Sequence, residues 1–543
     1  MSSVVPLPSG MSWHIFRKDW RLMWPLAVAT AVTQVLVALV IRHTEPFPMR
    51  NDLSALAALL TFGLAVGMTL LIVLTIQQEA IPSVNQDWLV RPVKSRDLLL
   101  GKLFTVVLLI HGPIIAVHLL QGVAEGFPFG SVLHATLVSN FEVALCYSLP
   151  VMAIAAMTKS VVEAILFALA TFLGCVLVRL VISEPTGTTG LLWIWRCVSH
   201  AELLLVTIAV LLWQYFRRGT HQSRALFVGG LLLFTLIPAL PWQPAFAIQQ
   251  WFAANSQASR AVAIDVAAQS RDGATGAADL DRQLLAEDSG EKKKDKASAT
   301  GNVVVVLPLR FSGLPGGRLL HADRTAVRLV RADGTTVYRG LGHVFDLPAA
   351  AADGAGTVQQ VVEIPTAVYA KLADQPLRLE MDYYATLLRF TTLPALPALN
   401  GAQRLAGFGW CASRMDSKNT TVEVGCRQAG ALPFCISMTL RQAGGVVRSP
   451  EKFVCELNYE PVPLRFSVDP IDHVEAKLPW RDPAQLGHLP LDATQLQGAQ
   501  VIIRVYEPED HFSRQVVVPQ FHLSDWRAAA GPVGDRPTPA SSD

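Results

Sequence analysis

The chain has 543 residues, a formal net charge of +2 and 51% hydrophobic residues, and its mean hydropathy is +0.36. This length is too great for one hydrophobic core. The near-neutral charge by itself indicates nothing about nucleic acid, and because no folded-looking segment carries a cluster of Lys and Arg, we expect no nucleic-acid partner. Because the apolar residues are concentrated in the first 241 positions, we expect a membrane domain followed by a polar domain.

The first 23 residues predict an amphipathic helix that lies in the cytoplasmic interface of a membrane. Trp13, Phe16 and Trp20 recur at helical spacing, and Arg17 lies on another face. Trp and Tyr side chains favour the interface because one end of the ring is apolar and the other is polar. The alternative is that the last turn of this helix extends the first membrane span.

Seven apolar segments approach the length of about 20 residues that a helix needs to cross a bilayer core of about 30 Å. These segments lie at about 24–42, 54–76, 102–121, 132–157, 161–182, 199–216 and 225–241. They predict an α-helical transmembrane domain over residues 24–241 with about seven transmembrane helices.

The short polar stretches between these segments carry an unequal distribution of cations. If the N-terminus is inside, eleven Lys and Arg residues lie on the cytoplasmic side and three on the other. The cytoplasmic set comprises Arg17, Lys18, Arg21, Arg91, Lys94, Arg96, Lys102, Lys159, Arg217, Arg218 and Arg224. Since cations near span ends favour the cytoplasm, we expect the N-terminus inside and, after seven spans, the C-terminal half outside.

The loop from Trp88 to Lys102 holds four of these cations between two apolar segments. It must lie in water, and it is the place where a cytoplasmic partner would touch the chain. The same cations also serve as an ordinary topology signal.

Two ionisable residues lie near the middle of predicted spans. Glu142 is about ten residues from the outer end of the fourth span, and His111 is about eight residues from the inner end of the third. Such residues are costly in lipid and usually face a protein interior or a cavity. A contact between them would form part of a polar translocation path or, the interpretation that we favour, an interhelical hydrogen bond that stabilises the bundle.

The C-terminal half predicts three parts. Residues 242–301 predict a juxtamembrane helix and a flexible linker, because the Lys-, Asp- and Ala-rich stretch from 267 cannot bury a core. Many short β-branched runs with turn signals, among them 463–468, 500–507 and 514–519, predict an all-β, sandwich-like domain over 302–527. Asp333-Gly334 between two such runs predicts a type I′ hairpin. Residues 528–543 predict a disordered tail.

Four cysteines of the C-terminal half lie within 45 residues of each other: Cys411, Cys426, Cys435 and Cys455. An even, clustered set is typical of disulfides in an oxidising compartment. The alternative is four free structural thiols. Metal ligation is not expected, because the sequence has no Cys-x-x-Cys motif.

Catalytic motifs are missing from the sequence. It has no Gly-x-x-x-x-Gly-Lys-Ser/Thr string, no Gly-x-Ser-x-Gly elbow and no His-Glu-x-x-His helix. We therefore do not expect an enzyme, and we expect this chain to bind no cofactor.

The order of parts resembles the ABC-2-type permeases, the membrane subunits of a class of ABC exporters. The resemblance covers about residues 1–241 and rests on FRKDWRLMWP at 16–25 and on the loop after the second span. In that loop, Gln78-Glu79, Trp88, Arg91-Pro92 and the Leu-Leu-x-x-Lys string that ends at Lys102 resemble the family's pattern. Arg91 and Arg96 would offer charge-assisted hydrogen bonds to a partner. Members typically have six spans. The seventh predicted span departs from that number, and the large β domain is a second departure from the family.

The resemblance implies that the chain is the permease subunit of an exporter. It also implies that the chain lies in the cytoplasmic (inner) membrane of a bacterium. A separate cytoplasmic ABC ATPase would bind ATP and Mg²⁺ and dock on the N-terminal helix and on the loop, which would act as a coupling helix. A homodimer or a second permease is expected as a further partner, besides the lipid bilayer. The alternative function is a membrane-anchored extracytoplasmic binding or sensor protein without transport activity. The sequence does not predict the substrate.

Overall fold

The structure, a computed structural model, describes only part of the chain. The described residues are 9–44, 54–78, 94–181, 192–237, 240, 242–267, 302–342, 345–348, 357–392, 395–405, 409–416, 421–429, 434–447, 449, 452–456, 471–479, 494 and 496–526. The chain forms two compact units. The first contains Met1–Pro185, Leu192–Leu240 and Thr392–Val505; the second contains Thr186–Leu191, Pro241–Thr391 and Tyr506–Asp543.

Long helices dominate the first unit because most of its first 241 residues are apolar, so these helices are apolar around their whole circumference. In lipid, every backbone group must be hydrogen-bonded within the segment, which favours helices. They are α1 (Ser9–Thr44), α2 (Ser54–Gln77), α3 (Ser95–Val106), α4 (Gly112–Ala124), α5 (Phe129–Val143), α6 (Leu149–Met157), α7 (Val161–Val181), α8 (Leu192–Arg217) and α9 (Thr220–Leu236). Two π-helical turns interrupt this series. The first π-turn (Val107–His111) joins α3 to α4, and the second π-turn (Ala144–Ser148) joins α5 to α6.

Six helical segments among the described residues are long and apolar enough to cross a membrane, which indicates a multi-pass membrane protein. They are Ser12–Val40, Ala55–Gln77, Ser95–Ala124, Phe129–Met157, Val161–Leu180 and Cys197–Arg217.

The seventh predicted span, 225–241, is not among these six. Its helix, α9, has 17 residues and ends at Leu236, which gives a length of about 25 Å at 1.5 Å per residue. Pro238 follows two residues later and disfavours helical backbone before it.

The N-terminal stretch is not a separate helix. It is continuous with the first span in α1, which has 36 residues and includes Pro25. At 1.5 Å per residue α1 is about 54 Å long, so it extends well beyond a bilayer core of about 30 Å.

One apolar core holds the helices of the first unit together. It contains buried residues from α1, α2, α3, α6, α8 and α9, among them Leu71, Ile72, Met152, Val210 and Phe227. The predicted spans thus pack on one another as a single bundle.

The first unit also contains strands. A four-stranded antiparallel sheet has the order β14–β11–β10–β9, formed by Ile471–Pro479, Thr421–Ala429, Gly409–Met415 and Ala402–Leu405. The unit further includes β8 (Leu396–Pro397), β12 (Phe434–Arg441), β13 (Lys452–Glu456) and the first residues of β15 (Gln500–Phe521).

A second apolar core lies between the four-stranded sheet and β12. Val422 and Val424 of β11 and Ile436 and Met438 of β12 are all buried in it. Because alternate residues of a strand point to opposite faces, the other face of β11 presents Glu423 and Arg427 instead.

The second unit is mainly one antiparallel sheet. Its order is β1–β2–β6–β4–β3–β7–β15, and β5 pairs with β3. Its strands before β15 are β1 (Ala263–Val266), β2 (Asn302–Ser312), β3 (Arg318–Val330), β4 (Thr336–Gly342), β5 (Phe345–Pro348), β6 (Thr357–Pro365) and β7 (Leu377–Thr392). In the described part of this unit, three short helices accompany the sheet, namely α10 (Trp242–Trp251), α11 (Gln257–Arg260) and α12 (Thr366–Leu372). A 3-10 turn, Leu523–Trp526, follows β15.

The predicted hairpin at Asp333-Gly334 forms with a different turn. The N–H of Gly334 donates to the C=O of Arg331 at 2.9 Å, so the turn begins one residue earlier than predicted. Gly334 has a φ of +84°, and Asp333 is not among the described non-glycine residues with positive φ. The type I′ prediction is therefore wrong, because that turn needs positive φ at both central residues.

The predicted single β domain over 302–527 is divided between the two units. Its residues 392–505 belong with the helices, and the remainder forms the second unit. The predicted strands at 500–507 and 514–519 are one continuous strand, β15. The predicted strand at 463–468, most of the linker and the predicted tail lie outside the described residues.

The disulfide Cys411–Cys426 predicts a measurable loss of stability when it is removed. The two cysteines face each other on β10 and β11 and are 15 residues apart. Closing a loop of this length contributes about 3 kcal/mol to the free energy of unfolding. Replacing both cysteines with Ala should lower the unfolding temperature of this sheet, measured by limited proteolysis on heating.

Cys175→Ser, which removes one of the described free cysteines, is the matched control and should leave that temperature unchanged. An unchanged temperature in the Cys411→Ala, Cys426→Ala variant would show that the disulfide contributes nothing to stability.

The ion pair between Arg318 and Glu509 is expected to stabilise the second unit at neutral pH and to lose this effect in acid. Arg318 Nε and Nη2 donate to the two carboxylate oxygens of Glu509 at 2.8 and 3.0 Å. The hydrogen bonds from Arg318 lower the pKa of Glu509. A lowered folded-state pKa gives stability that is present above the unfolded pKa, about 4.3, and is lost as the pH falls through the folded value.

Arg318→Gln should therefore lower stability at pH 6 and flatten its decrease between pH 6 and pH 3, measured as the unfolding temperature at each pH. Arg339→Gln, on the exposed side of β4, is the control. Parallel pH curves for wild type and Arg318→Gln would contradict the assignment.

Candidate functional site

One end of the helical bundle carries most of its described cations. Gln77 at the end of α2 donates to Thr158 Oγ1 after α6 at 3.0 Å. Arg224 in α9 donates to the C=O of Met157 at 2.8 Å and to Glu163 in α7. Because these contacts join the adjoining ends of α2, α6, α7 and α9, they define one end of the bundle, which we call the basic face.

The N-terminal parts of α1 and α3 are joined by a buried ion pair at this face. Lys102 Nζ donates to Asp19 Oδ2 at 2.8 Å, and both side chains are fully buried. Ser12 Oγ donates to the C=O of Asp97 at 3.3 Å. Two charges removed from water are stable only when they are closely paired, so this contact fixes the start of α1 against the start of α3.

Aromatic side chains of α1 pack beside this pair. Phe16 is buried, with its ring centroid 4.9 Å from Phe104 of α3, and the Trp13 centroid is 6.3 Å from the same ring. Trp20 lies 6.1 Å from Phe16 and is 44% exposed. The aromatic stripe predicted for the interface therefore contacts a neighbouring helix with one edge and remains exposed with the other.

The opposite side of this part of α1 is strongly basic. His14, Arg17, Lys18 and Arg21, with Leu22, line an open cavity of about 460 Å³. The four basic positions follow the i, i+3, i+4, i+7 spacing of one helix face, and all four side chains are exposed. We call this stripe the cationic cleft; its charge favours an anionic partner.

The predicted coupling loop is described only at its end. Glu79, Trp88, Arg91 and Pro92 lie outside the described residues. Arg96 lies in the first turn of α3 and is exposed. Lys102, in contrast, is not on the surface, since its ammonium group is buried against Asp19.

The intramembrane polar residues lie near the two π-turns. His111 ends the first π-turn, and its Nδ1 lies 2.9 Å from Asn140 Oδ1 of α5. Glu142, two residues further along α5, is 1% exposed. The structure therefore supplies His111 with Asn140 as a hydrogen-bond partner, which the sequence analysis missed. Gln34 and His118 form a second such contact at 3.1 Å, also missed.

The end of the bundle opposite the basic face contacts the four-stranded sheet. The segment from α3 to α4 runs from Ser95 to Ala124, and Glu125 follows it. Arg427 of β11 donates to Glu125 Oε1 at 3.0 Å, and both side chains are buried. Gly126, with a φ of +81°, leaves no room for a Cβ against Arg404 of β9. Two arginines of the sheet therefore hold the α4–α5 turn.

The cysteines of the C-terminal half are oxidised where the structure describes them. Cys411 is bonded to Cys426. Cys435 is also disulfide-bonded, and Cys455 lies directly opposite it in the β12–β13 register. Among the described residues, no group of three His, Cys, Asp or Glu side chains could hold a metal ion.

Comparison with known proteins identifies no family. No family model matches the chain, and no curated protein matches it. Among solved structures, red sea bream transglutaminase is similar over 40% of this chain, with 12% identity and a TM-score of 0.11. The match spans 29% of the transglutaminase chain. A likeness at this TM-score supports no statement about fold or activity.

The buried pair of Asp19 and Lys102 predicts a large effect of single substitutions. Removing one partner of a buried ion pair costs about 3–5 kcal/mol, because the other charge remains in the protein interior. Asp19→Asn and Lys102→Met should each lower the thermal unfolding temperature in detergent. The double variant Asp19→Leu, Lys102→Met should recover most of the loss.

Lys94→Met, an exposed position at the start of the same helix, is the matched control and should unfold as the wild type does. Single variants as stable as the control would show that the ion pair does not fix α1 to α3.

Proposed function

We propose that this chain is the permease subunit of an ATP-driven transporter of the ABC type, an exporter, whose ATPase is a separate cytoplasmic chain. The observation that carries the proposal is the cationic cleft of α1, attached by the Asp19–Lys102 pair to the start of α3. The resemblance to ABC-2-type permeases places a docking surface at this helix and at the loop that precedes α3.

The energy source must lie outside this chain if it transports by this route, because the sequence has no phosphate-binding loop. An ATPase that docks at the cleft would supply acidic groups for charge-assisted hydrogen bonds with Arg17 and Arg21. It would bind ATP and Mg²⁺, and this chain would bind neither.

A route from the docking surface to the middle of the membrane supports the proposal. The helix that begins at Ser95 and contains Lys102 continues directly into the first π-turn and His111. π-turns inside α-helices occur frequently at functional sites. A displacement of α1 by the ATPase would therefore act, through the buried pair, on the helix that carries the intramembrane histidine.

Sidedness follows from the two ends of the bundle. The excess of Lys and Arg favours a cytoplasmic position for the basic face, and the Arg427–Glu125 pair lies at the other end. The four-stranded sheet and its disulfide would then be extracytoplasmic, where thiols are oxidised. This arrangement needs seven crossings, and it makes α9 a short seventh span. His200 of α8 and Phe234 of α9, with ring centroids 6.5 Å apart, show that α9 runs back beside α8.

We expect the chain to lie in a bacterial cytoplasmic membrane and to pair with a second permease chain. A bacterial cytoplasmic membrane offers a cytoplasmic basic side and an oxidising outer side. The resemblance implies that two permease chains, identical or different, enclose the transport path.

Co-expression with an ABC ATPase tests the function, and an ATPase encoded next to this gene would be the first candidate. We expect the ATPase to co-purify with this chain and to hydrolyse ATP faster when both are in nanodiscs. Arg17→Glu with Arg21→Glu should reduce recovery of the ATPase at least tenfold, because two of the three Lys and Arg charges of the cleft are reversed. Lys159→Glu, an exposed cation of the same face in the α6–α7 turn, is the matched control and should leave recovery unchanged.

Two results would contradict the proposal. If the wild-type chain neither recovers nor stimulates the ATPase, the chain is better described as a membrane-anchored binding or sensor protein. If the double variant recovers the ATPase as well as the control does, the docking surface does not include the cleft.

A further inference from the structure

An apolar groove lies within the bundle, separate from the cationic cleft. It has a volume of about 420 Å³ and is lined by α3, both π-turns, α6 and α8. This volume is in the range of small-molecule sites. The groove is open on one side, where Val107, Ile208 and Leu212 are between 40% and 49% exposed.

The groove is about as long as one leaflet is thick. Along α3 and the first π-turn its lining runs from Leu99 to His111. These positions are twelve residues apart, or about 18 Å at 1.5 Å per residue. Half of a bilayer core is about 15 Å. The groove therefore extends from the basic face to about the middle of the membrane.

The two π-turns close the deep end. His111 of the first π-turn and Ala144 and Ser148 of the second line the groove there. The hydrogen bond from His111 to Asn140 holds the imidazole ring across this end. Because a π-turn inserts one extra residue into a helix, two neighbouring π-turns spread the helices locally and leave a space that regular helices would fill.

The other end of the groove is flanked by a cation. Arg96 precedes Leu99 by three residues, so the two lie on the same side of α3. The Arg96 side chain is exposed. An apolar channel with a guanidinium group at its mouth is complementary to a hydrocarbon chain with an anionic head.

We propose that the groove binds one acyl chain of an anionic phospholipid from the leaflet at the basic face. The chain lies along α3 with its methyl end between the π-turns, and the phosphate is bound by Arg96. Guanidinium groups suit this role because they can bind phosphate through two parallel hydrogen bonds. A second protein helix would fill the apolar groove but would leave the cationic mouth without a counter-charge. The inference concerns lipid binding alone and does not require the chain to transport anything.

A photoreactive phosphatidylglycerol with a diazirine at the end of its acyl chain tests the site. In nanodiscs that contain the wild-type chain and no ATPase, crosslinks should map to residues 107–111 and 144–148. Unlabelled phosphatidylglycerol should compete at least tenfold better than phosphatidylcholine.

Variants separate the two parts of the site. Arg96→Gln should remove the preference for phosphatidylglycerol, and Ala144→Phe should abolish crosslinking of both lipids by filling the deep end. Lys159→Gln controls for the loss of a cation at the same face, and Leu169→Phe controls for an added ring on an exposed helix surface. Arg96 is exposed, so its result stands even if Ala144→Phe does not fold.

Three outcomes would overturn the inference. One is crosslinking that spreads over the exposed surface of α7 without enrichment at the π-turns. Another is equal competition by the two lipids in the wild type. The third is a disulfide between two copies that each carry Val107→Cys, formed in place of lipid crosslinks, which would identify the occupant of the groove as a second copy of this chain.

Discussion

The basic face depends on one contact, the buried ion pair between Asp19 and Lys102. Neither side chain reaches solvent, so each charge must stay beside the other to offset the cost of leaving water. The pair therefore allows little sliding or rotation of α1 on α3. The position of the aromatic stripe, the direction of the cationic cleft and the start of the apolar groove all follow from it.

Polar contacts also fix the rest of the bundle. In lipid, apolar side chains gain little from choosing one neighbour over another, and hydrogen bonds between helices give specificity instead. Gln34 with His118, His111 with Asn140, and Gln77 with Thr158 join different pairs of helices. Glu125 with Arg427 extends the same principle to the sheet. Each of these contacts holds a register that packing alone would leave free.

The sequence predicted the features that depend on neighbouring residues. The helical segments were visible because each is a continuous apolar run, and most strands were visible as β-branched runs. Contacts between distant residues were not visible. Lys102 and its partner Asp19 are 83 positions apart. The residues next to Lys102 give no sign of that partner, so the local pattern indicates only one more cation of the loop. Arg427 and Glu125 are 302 positions apart, so no local pattern predicts a contact at either residue.

Some features had no sequence signal at all. Both π-turns consist of residues that suit an ordinary helix, so periodicity predicts an unbroken one. Asn140 could have been found by the reasoning applied to Glu142, since both are polar positions in an apolar span. The turn at Gly334 begins one residue earlier than the predicted turn, because Arg331, and not Ala332, accepts the closing hydrogen bond. The division of the β region could not be foreseen, because it depends on Arg427 meeting a helix end.

The chain passes between the two units at Leu240–Pro241, at Thr391–Thr392 and again within β15, at Val505–Tyr506. The strands of the first unit are thus an insertion within the sequence of the second. A protease that cut once after α9 would not release a self-contained soluble domain. The freed piece would carry β11 without the helix end that neutralises Arg427, and the remaining bundle would expose Glu125 in turn. Shedding or swapping of the C-terminal half as a single cassette is thereby disfavoured.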